Sequence, residues 1–283
     1  MPVSPLTARK TWRTVEPIHS MVYFAPEASA SYAQLGIRQE SGYFMSRSAP
    51  MGAVRDITVI ATFYNFRPAL VHSAMAGAWE SVTPEQVLAA RLEAADTALR
   101  RLLGDEVGSP EMERTATLAR AAAVRACERC GGRPLFAGHA GLDWPAEPHV
   151  VLWHAQTLLR EFRGDGHIAA LLMYDLDPVE ALVMHAASGE VPVRFLRSTR
   201  GWTDAEWEDG VARLRGRGWV EQAAGGGLAL STEGLSVRQR IEDVTDRRAV
   251  FPYQALGEDG CAELRTLARP FSRTVVEAAG LGL

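Results

Sequence analysis

The apolar stretch WHAQTLLREFRGDGHIA carries His154, Arg160, Glu161, Arg163, Asp165 and His167, the densest constellation of titratable groups in the chain. A helix over 147–163 sets His154 and Glu161 on one face two turns apart, with Asp165 and His167 just past Gly164. A carboxylate that accepts an imidazole N–H orients the ring and raises its basicity. Glu161 or Asp165 with His167, joined by His154, therefore reads as a candidate general acid/base set. The plainer reading of the same residues has Asp165 capping the helix that begins at Gly166, Glu161 and Arg163 as an ion pair, and His167 as a hydrogen-bond donor.

A second set of residues suits binding. Tyr23, Tyr43, Tyr64, Trp153 and Trp202 put polar tips into aromatic, otherwise apolar segments, and a buried tyrosine or tryptophan needs a partner for its OH or NH. Arg47 and Asn65 sit between apolar neighbours and suit an anionic or carbonyl-bearing ligand. With Arg163 and His185 these residues make the candidate ligand-binding set, against the plainer view of core residues with locally satisfied tips. A drug-sized site needs a cavity of at least about 300 Å³.

Other chemistries lack their motifs. Cys127-Glu-Arg-Cys130 is half of a zinc knuckle, with no second CxxC or paired HxxxH to complete four ligands, so no metal site is expected. No GxGxxG, GxxxxGK[ST], GxSxG or HExxH occurs, and no cofactor is expected. Three cysteines fit a reducing compartment. With no signal-like apolar run near Met1 and no long apolar segment, a cytoplasmic protein without a membrane partner is expected.

The elements that must position these residues are mostly helical. Pro17 is read as a helix start carrying His19 and Tyr23, and Pro50, Gly52 and Pro68 divide an aromatic-rich stretch into short helices. Thr83-Pro84 and Ser109-Pro110 open two longer helices. Arg91, Glu93, Asp96 and Arg100 are assigned to the solvated face of the first. A helix over 147–163 ends at Gly164 and another starts behind Asp165. Asp177-Pro178 opens the next, and Thr203 with Glu206 makes a capping box. WVEQ, the turn AAGGG and LALS alternate as a short hairpin, after which Thr232 caps a further helix. The expectation is a mainly α protein: a helical region over 1–145, a winged-helix-like region over 146–250 with a β-hairpin wing, and a C-terminal helical segment over 251–283.

The run RGWV, hairpin, LSTEGLSVRQRIE resembles the end of MarR-type winged helices. HSMVYFAPEA, GYFMSRSAPMG, ATFYNF, GRPL, LLREFRGDGHIAAL and IEDVTD resemble, over nearly the whole chain, an actinobacterial family of helix-turn-helix proteins. The resemblance implies a fold and the possibility of a ligand-responsive transcriptional regulator. Arg194, Arg197, Arg200, Arg213, Arg215 and Arg217 would then be the DNA contacts. The residues argue the other way. The helix that would enter the major groove begins DAEWED, and 166–248 holds 10 arginines against 13 acids, a net of -3.

The 283 residues carry a net charge of -4 and 47% hydrophobic residues, a composition that excludes a disordered or membrane-spanning chain. The leading expectation is a small-ligand-binding protein on a winged-helix-derived scaffold, with the pocket between its two regions, serving as an accessory protein or enzyme of specialised metabolism. DNA is the alternative partner, disfavoured by the acidic leading helix, and a homodimer through an exposed apolar face is the third option.

Overall fold

The computed structural model describes residues 2–223 and 225–278; Ala224 of the wing turn and residues 279–283 of the C-terminal segment lie outside the described residues. In chain order the helices are α1 (Pro5–Ser20), α2 (Pro26–Gln34), α3 (Gln39–Ser48), α4 (Asp56–Phe63), α5 (Pro68–Met75), α6 (Pro84–Leu103) and α7 (Pro110–Ala126). They continue with α8 (Pro134–Ala140), α9 (Pro148–Met173), α10 (Pro178–Ala187), α11 (Val193–Arg200), α12 (Asp204–Gly216), α13 (Thr232–Ala249) and α14 (Gly257–Ala278). Strands β1 (Val220–Gln222) and β2 (Leu228–Leu230) form an antiparallel pair between α12 and α13. The protein is mainly α with one small hairpin. No helix among the described residues is long and apolar enough to cross a membrane.

One device starts four of these helices. Ser4, Thr83, Ser109 and Asp177 each accept a backbone N–H of the first turn, and each is followed by a proline at the first helical position. The side chain satisfies a donor that has no intrahelical partner, and the proline lacks the N–H that would otherwise be orphaned.

The chain divides into two compact units, residues 1–54 with 77–165 and 246–283, and residues 55–76 with 166–245. In the first unit α1 lies along α14. Ala8, Val15 and Ile18 on one helix and Leu264, Ala268, Phe271 and Val275 on the other are buried in a single core. Polar contacts run beside it: Ser4 N–H and Thr7 Oγ1 donate to Glu258, and Arg265 donates to Thr11 Oγ1 at 2.9 Å. The alanines of α6 and α7, with Leu152, Leu158 and Phe162 of α9, fill the same core.

The second unit has the winged-helix order α10, α11, α12, β1, β2, α13. Trp207, Val211 and Leu214 of α12 are buried with Val179, Leu182 and Val183 of α10, and Gly210 permits the close crossing. A Cβ there would meet Val179 Cγ1 at 3.0 Å. At the wing's exit, Gly234 packs its backbone directly on the Trp219 carbonyl, leaving no room for a side chain.

Four sequence expectations change. Pro17 starts no helix but lies inside α1, whose first turn is capped by Ser4. Gly164 does not stop a helix either, because α9 runs 26 residues through it. Burial of Leu158, Leu159 and Phe162 before the glycine and of Ala170 and Leu171 after it outweighs the roughly 1 kcal/mol that a mid-helix glycine costs. Asp165 is a cap, but for another helix: its carboxylate accepts Phe136 N–H at 3.0 Å in the first turn of α8. The N-cap of α13 is Ser231, whose Oγ accepts Gly234 N–H at 3.0 Å, and not Thr232.

Candidate functional site

A polar cluster is buried in the first unit where α1, α3, α6, α8 and α9 contribute side chains. Its centre is the Tyr23 ring, just past the end of α1. The guanidinium carbons of Arg47, Arg91 and Arg160 lie 6.0, 5.7 and 5.5 Å from the ring centroid. His19, one turn earlier, bonds the Tyr23 hydroxyl through Nε2 at 2.9 Å and Thr157 Oγ1 through Nδ1 at 2.8 Å, and stacks on Trp153. The helical i, i+4 spacing of His19 and Tyr23 makes that pair possible even though Pro17 intervenes in the helix.

Two of the three cations are neutralised. Arg47 donates Nη2 to both Glu161 oxygens at 3.0 and 3.1 Å and Nη1 to the Tyr43 hydroxyl at 2.7 Å. Arg160 pairs with Glu16 and stands 3.8 Å from Glu161. Arg91 differs. It is 2% exposed, has no ion pair among the described residues, and makes one hydrogen bond of 3.4 Å from Nη1 to Ser46 Oγ. Its Nε and Nη2 have no hydrogen-bond partner. Its guanidinium lies 5.4 Å from the Trp153 ring as well as facing Tyr23.

Burial and this charge set the protonation of the neighbours. Burial pushes the pKa of His19 and of His139 well below the ordinary imidazole value, and Arg91 pushes in the same direction. His154 falls to about 4 for the same two reasons. Burial also raises Tyr23 to about 12, against the pull of Arg47 and Arg91. Burial works to raise Glu161, but Arg47 and Arg160 outweigh it and hold the carboxyl below its usual range. The imidazoles are therefore neutral at pH 7, and of the three guanidiniums Arg91 is the one without a carboxylate partner among the described residues.

Arg91, His139, Trp153 and His154 line a cavity of about 190 Å³ with Leu88, Leu92, Leu142 and Pro145, and Ala89, Leu92 and Asp143 form its exposed rim. The cavity is smaller than the roughly 300 Å³ of a drug-sized site, so it suits a ligand of few atoms. Among the lining residues, Trp153 Nε1, His139 Nε2 and His154 Nε2 are buried without hydrogen-bond partners.

The structure thus brings Tyr23, Tyr43, Arg47, Trp153, His154 and Glu161 of the candidate sets into one unit and around one cluster, and adds His19, Arg91 and His139. Assigning Arg91 to the solvated face of α6 is corrected by its burial. It falls on the stripe of Val87, Ala94, Ala95 and Ala98, all buried, so the helical spacing carried the signal. His139 had none, since GRPL reads as a break while Pro134 in fact opens α8.

The remaining candidates stand elsewhere. Arg163 donates to Asp246 at 2.7 Å and covers the Trp12 ring. Asp165 has its pKa raised to about 6 by burial, the Phe136 N–H opposing. His167 belongs to the second unit, where its Nδ1 bonds Thr245 Oγ1 at 3.0 Å. In that unit Tyr64 donates to Leu176 O, Trp202 donates to Asn65 O at 3.0 Å, and His185 bonds Arg238 at 3.3 Å.

The arginines of the helix-turn-helix are largely committed. Arg213 meets Asp177, Glu180 and Asp209, and Arg217 meets Glu180 at 3.5 Å and the Trp219 ring. Arg197 pairs with Asp204, and Arg200 covers the Phe66 ring. Arg194 and Arg215 are exposed and have no ion pair among the described residues. Cys127 and Cys130 are free thiols, and no group of three metal-ligating side chains occurs among the described residues.

A family model described as a helix-turn-helix family matches residues 8–282. No curated protein and no solved structure matches the chain.

Proposed function

The chain belongs to this helix-turn-helix family, and we propose that it works as a small-ligand-binding protein whose ligand site is the cavity of the first unit and whose winged helix does not read DNA. One observation carries the reading: Arg91 is buried without a counter-ion among the described residues and lines a cavity whose other lining residues carry three further unpartnered buried nitrogens. Buried polar groups are ordinarily hydrogen-bonded and buried charges paired, because the lost hydration is otherwise uncompensated. A site that gathers four exceptions is built to be completed from outside.

The loss of DNA reading is supported by the leading turn of α12, with Asp204, Glu206, Glu208 and Asp209, and by the carboxylates that occupy Arg197, Arg213 and Arg217. A ligand-responsive regulator is the second reading, favoured by the family's description and by the unpaired Arg194 and Arg215. Two experiments separate them. Ligand-observed NMR with a fragment library should give hits on wild type that Arg91→Met loses, and mixed DNA fragments should not be retained at low salt. DNA binding that falls steeply with salt and is lost in Arg194→Ala with Arg215→Ala would establish the regulator instead.

A further inference from the structure

We infer that the Arg91 cavity takes a small organic monocarboxylate with an apolar body; this rests on the ligand-binding reading above and specifies its ligand. The two idle nitrogens of Arg91, Nε and Nη2, lie on one edge of the guanidinium plane, the edge that grips both oxygens of a single carboxylate. The chain uses that edge elsewhere. Arg114 gives Nε to Glu263 Oε1 at 2.7 Å and Nη2 to Oε2 at 2.9 Å. At Arg91 the same edge meets no acid among the described residues.

The surroundings fix the plane without using the edge. Tyr23 and Trp153 lie 5.7 and 5.4 Å from the guanidinium carbon and interact with its charge through their rings, leaving the N–H groups unspent. Trp153, another lining residue, has an Nε1 without a hydrogen-bond partner that can only donate. A ligand with one negative charge would supply the counter-ion that Arg91 lacks. A second negative charge would find no other arginine among the lining residues and would meet the Asp143 carboxylate at the rim. Leu88, Leu92, Leu142 and Pro145 supply apolar walls for the rest of the molecule, and about 190 Å³ accommodates a single ring rather than a nucleotide.

The test is isothermal titration of the full chain with benzoate, cyclohexanecarboxylate, benzamide and inorganic phosphate. The two acids should bind, benzamide should bind roughly ten- to a hundredfold more weakly, as expected for loss of charged hydrogen bonds, and phosphate should not compete. Arg91→Lys, which keeps the charge and loses the fork, should cost the acids a similar factor. Leu92→Glu places a carboxylate at a residue that is 39% exposed on the rim, so it spares the fold, and it should weaken the acids by a larger factor than it weakens benzamide. Benzamide binding as tightly as benzoate, or phosphate displacing benzoate, overturns the monocarboxylate assignment and leaves the ligand site standing. Binding of none of the four, together with an empty fragment screen, overturns both.

Discussion

Glu161→Gln isolates the interaction on which the buried cluster depends. The Arg47 and Glu161 side chains are 10% and 4% exposed and are joined through both carboxylate oxygens. The substitution keeps the shape of the side chain, removes its charge, and takes from the buried Arg47 the carboxylate that both its Nη2 bonds reach. Breaking a buried pair by neutralising one partner costs about 3–5 kcal/mol. At about 2–4 °C per kcal/mol for a chain of this size, Tm should fall by roughly 6–20 °C. The internal control is Glu263→Gln, which breaks the bidentate pair with Arg114 where the side chains are 42% and 52% exposed. An exposed pair contributes at most about 1 kcal/mol and is weakened by salt. Urea and thermal unfolding by circular dichroism, at low and high salt, compare the two. The pH dependence adds a sign: Glu161 has its folded pKa held down, so its contribution is complete above the unfolded value of about 4.3 and is lost as pH falls through the folded one. Wild type should therefore show a steeper acid limb than Glu161→Gln. Equal, small losses in the two variants would refute the claim that the cluster depends on charge compensation.

Asp165 has the opposite sign. Burial raises its pKa to about 6, so the folded chain holds the proton more tightly than the unfolded one and loses stability as pH climbs from about 4 to 6. Asp165→Asn keeps an oxygen for Phe136 N–H and should flatten that window, an effect of up to about 3 kcal/mol at neutral pH; an unchanged slope in denaturant titrations across pH contradicts it. Gly234→Ala forces a Cβ onto the Trp219 carbonyl and should cost several times the usual helix gain of alanine over glycine, about 1 kcal/mol, visible as a lower urea midpoint. Thr203→Ala removes the hydroxyl that accepts Glu206 N–H at 3.3 Å in the capping box of α12 and should cost about 1 kcal/mol in the same assay.

The helix starts are the most legible part of the fold, because a capping side chain followed by proline is local chemistry: Thr83, Ser109 and Asp177 need no partner from elsewhere in the chain, and Ser4-Pro5 carries the same signal although the sequence reading places the first start at Pro17. Helix ends are less so. Gly164 reads as a helix end and Pro17 as a helix start, whereas α9 and α1 run through both. The same applies to the site. His154, Glu161, Arg47 and Tyr23 stood out as polar groups in apolar surroundings, but nothing in the spacing told which carboxylate would meet which guanidinium across 114 residues. Arg91 was misread because an arginine between Leu88 and Leu92 suits a solvated edge by residue type, whereas its register with Val87 and Ala95 placed it inside. Register was the better guide there than residue type.

The pairing of α1 with α14 also sets an order in time. Thr11 and Arg265 are 254 positions apart, and at the about 5–20 residues per second of ribosomal synthesis α14 emerges roughly 13–50 s after α1. For that interval Ala8, Val15 and Ile18 have no Leu264, Phe271 or Val275 to cover them. The second unit, complete by residue 245, can close before the first has its last helix. The nascent chain thus leaves the apolar face of α1 uncovered longest, because its final partner is made last.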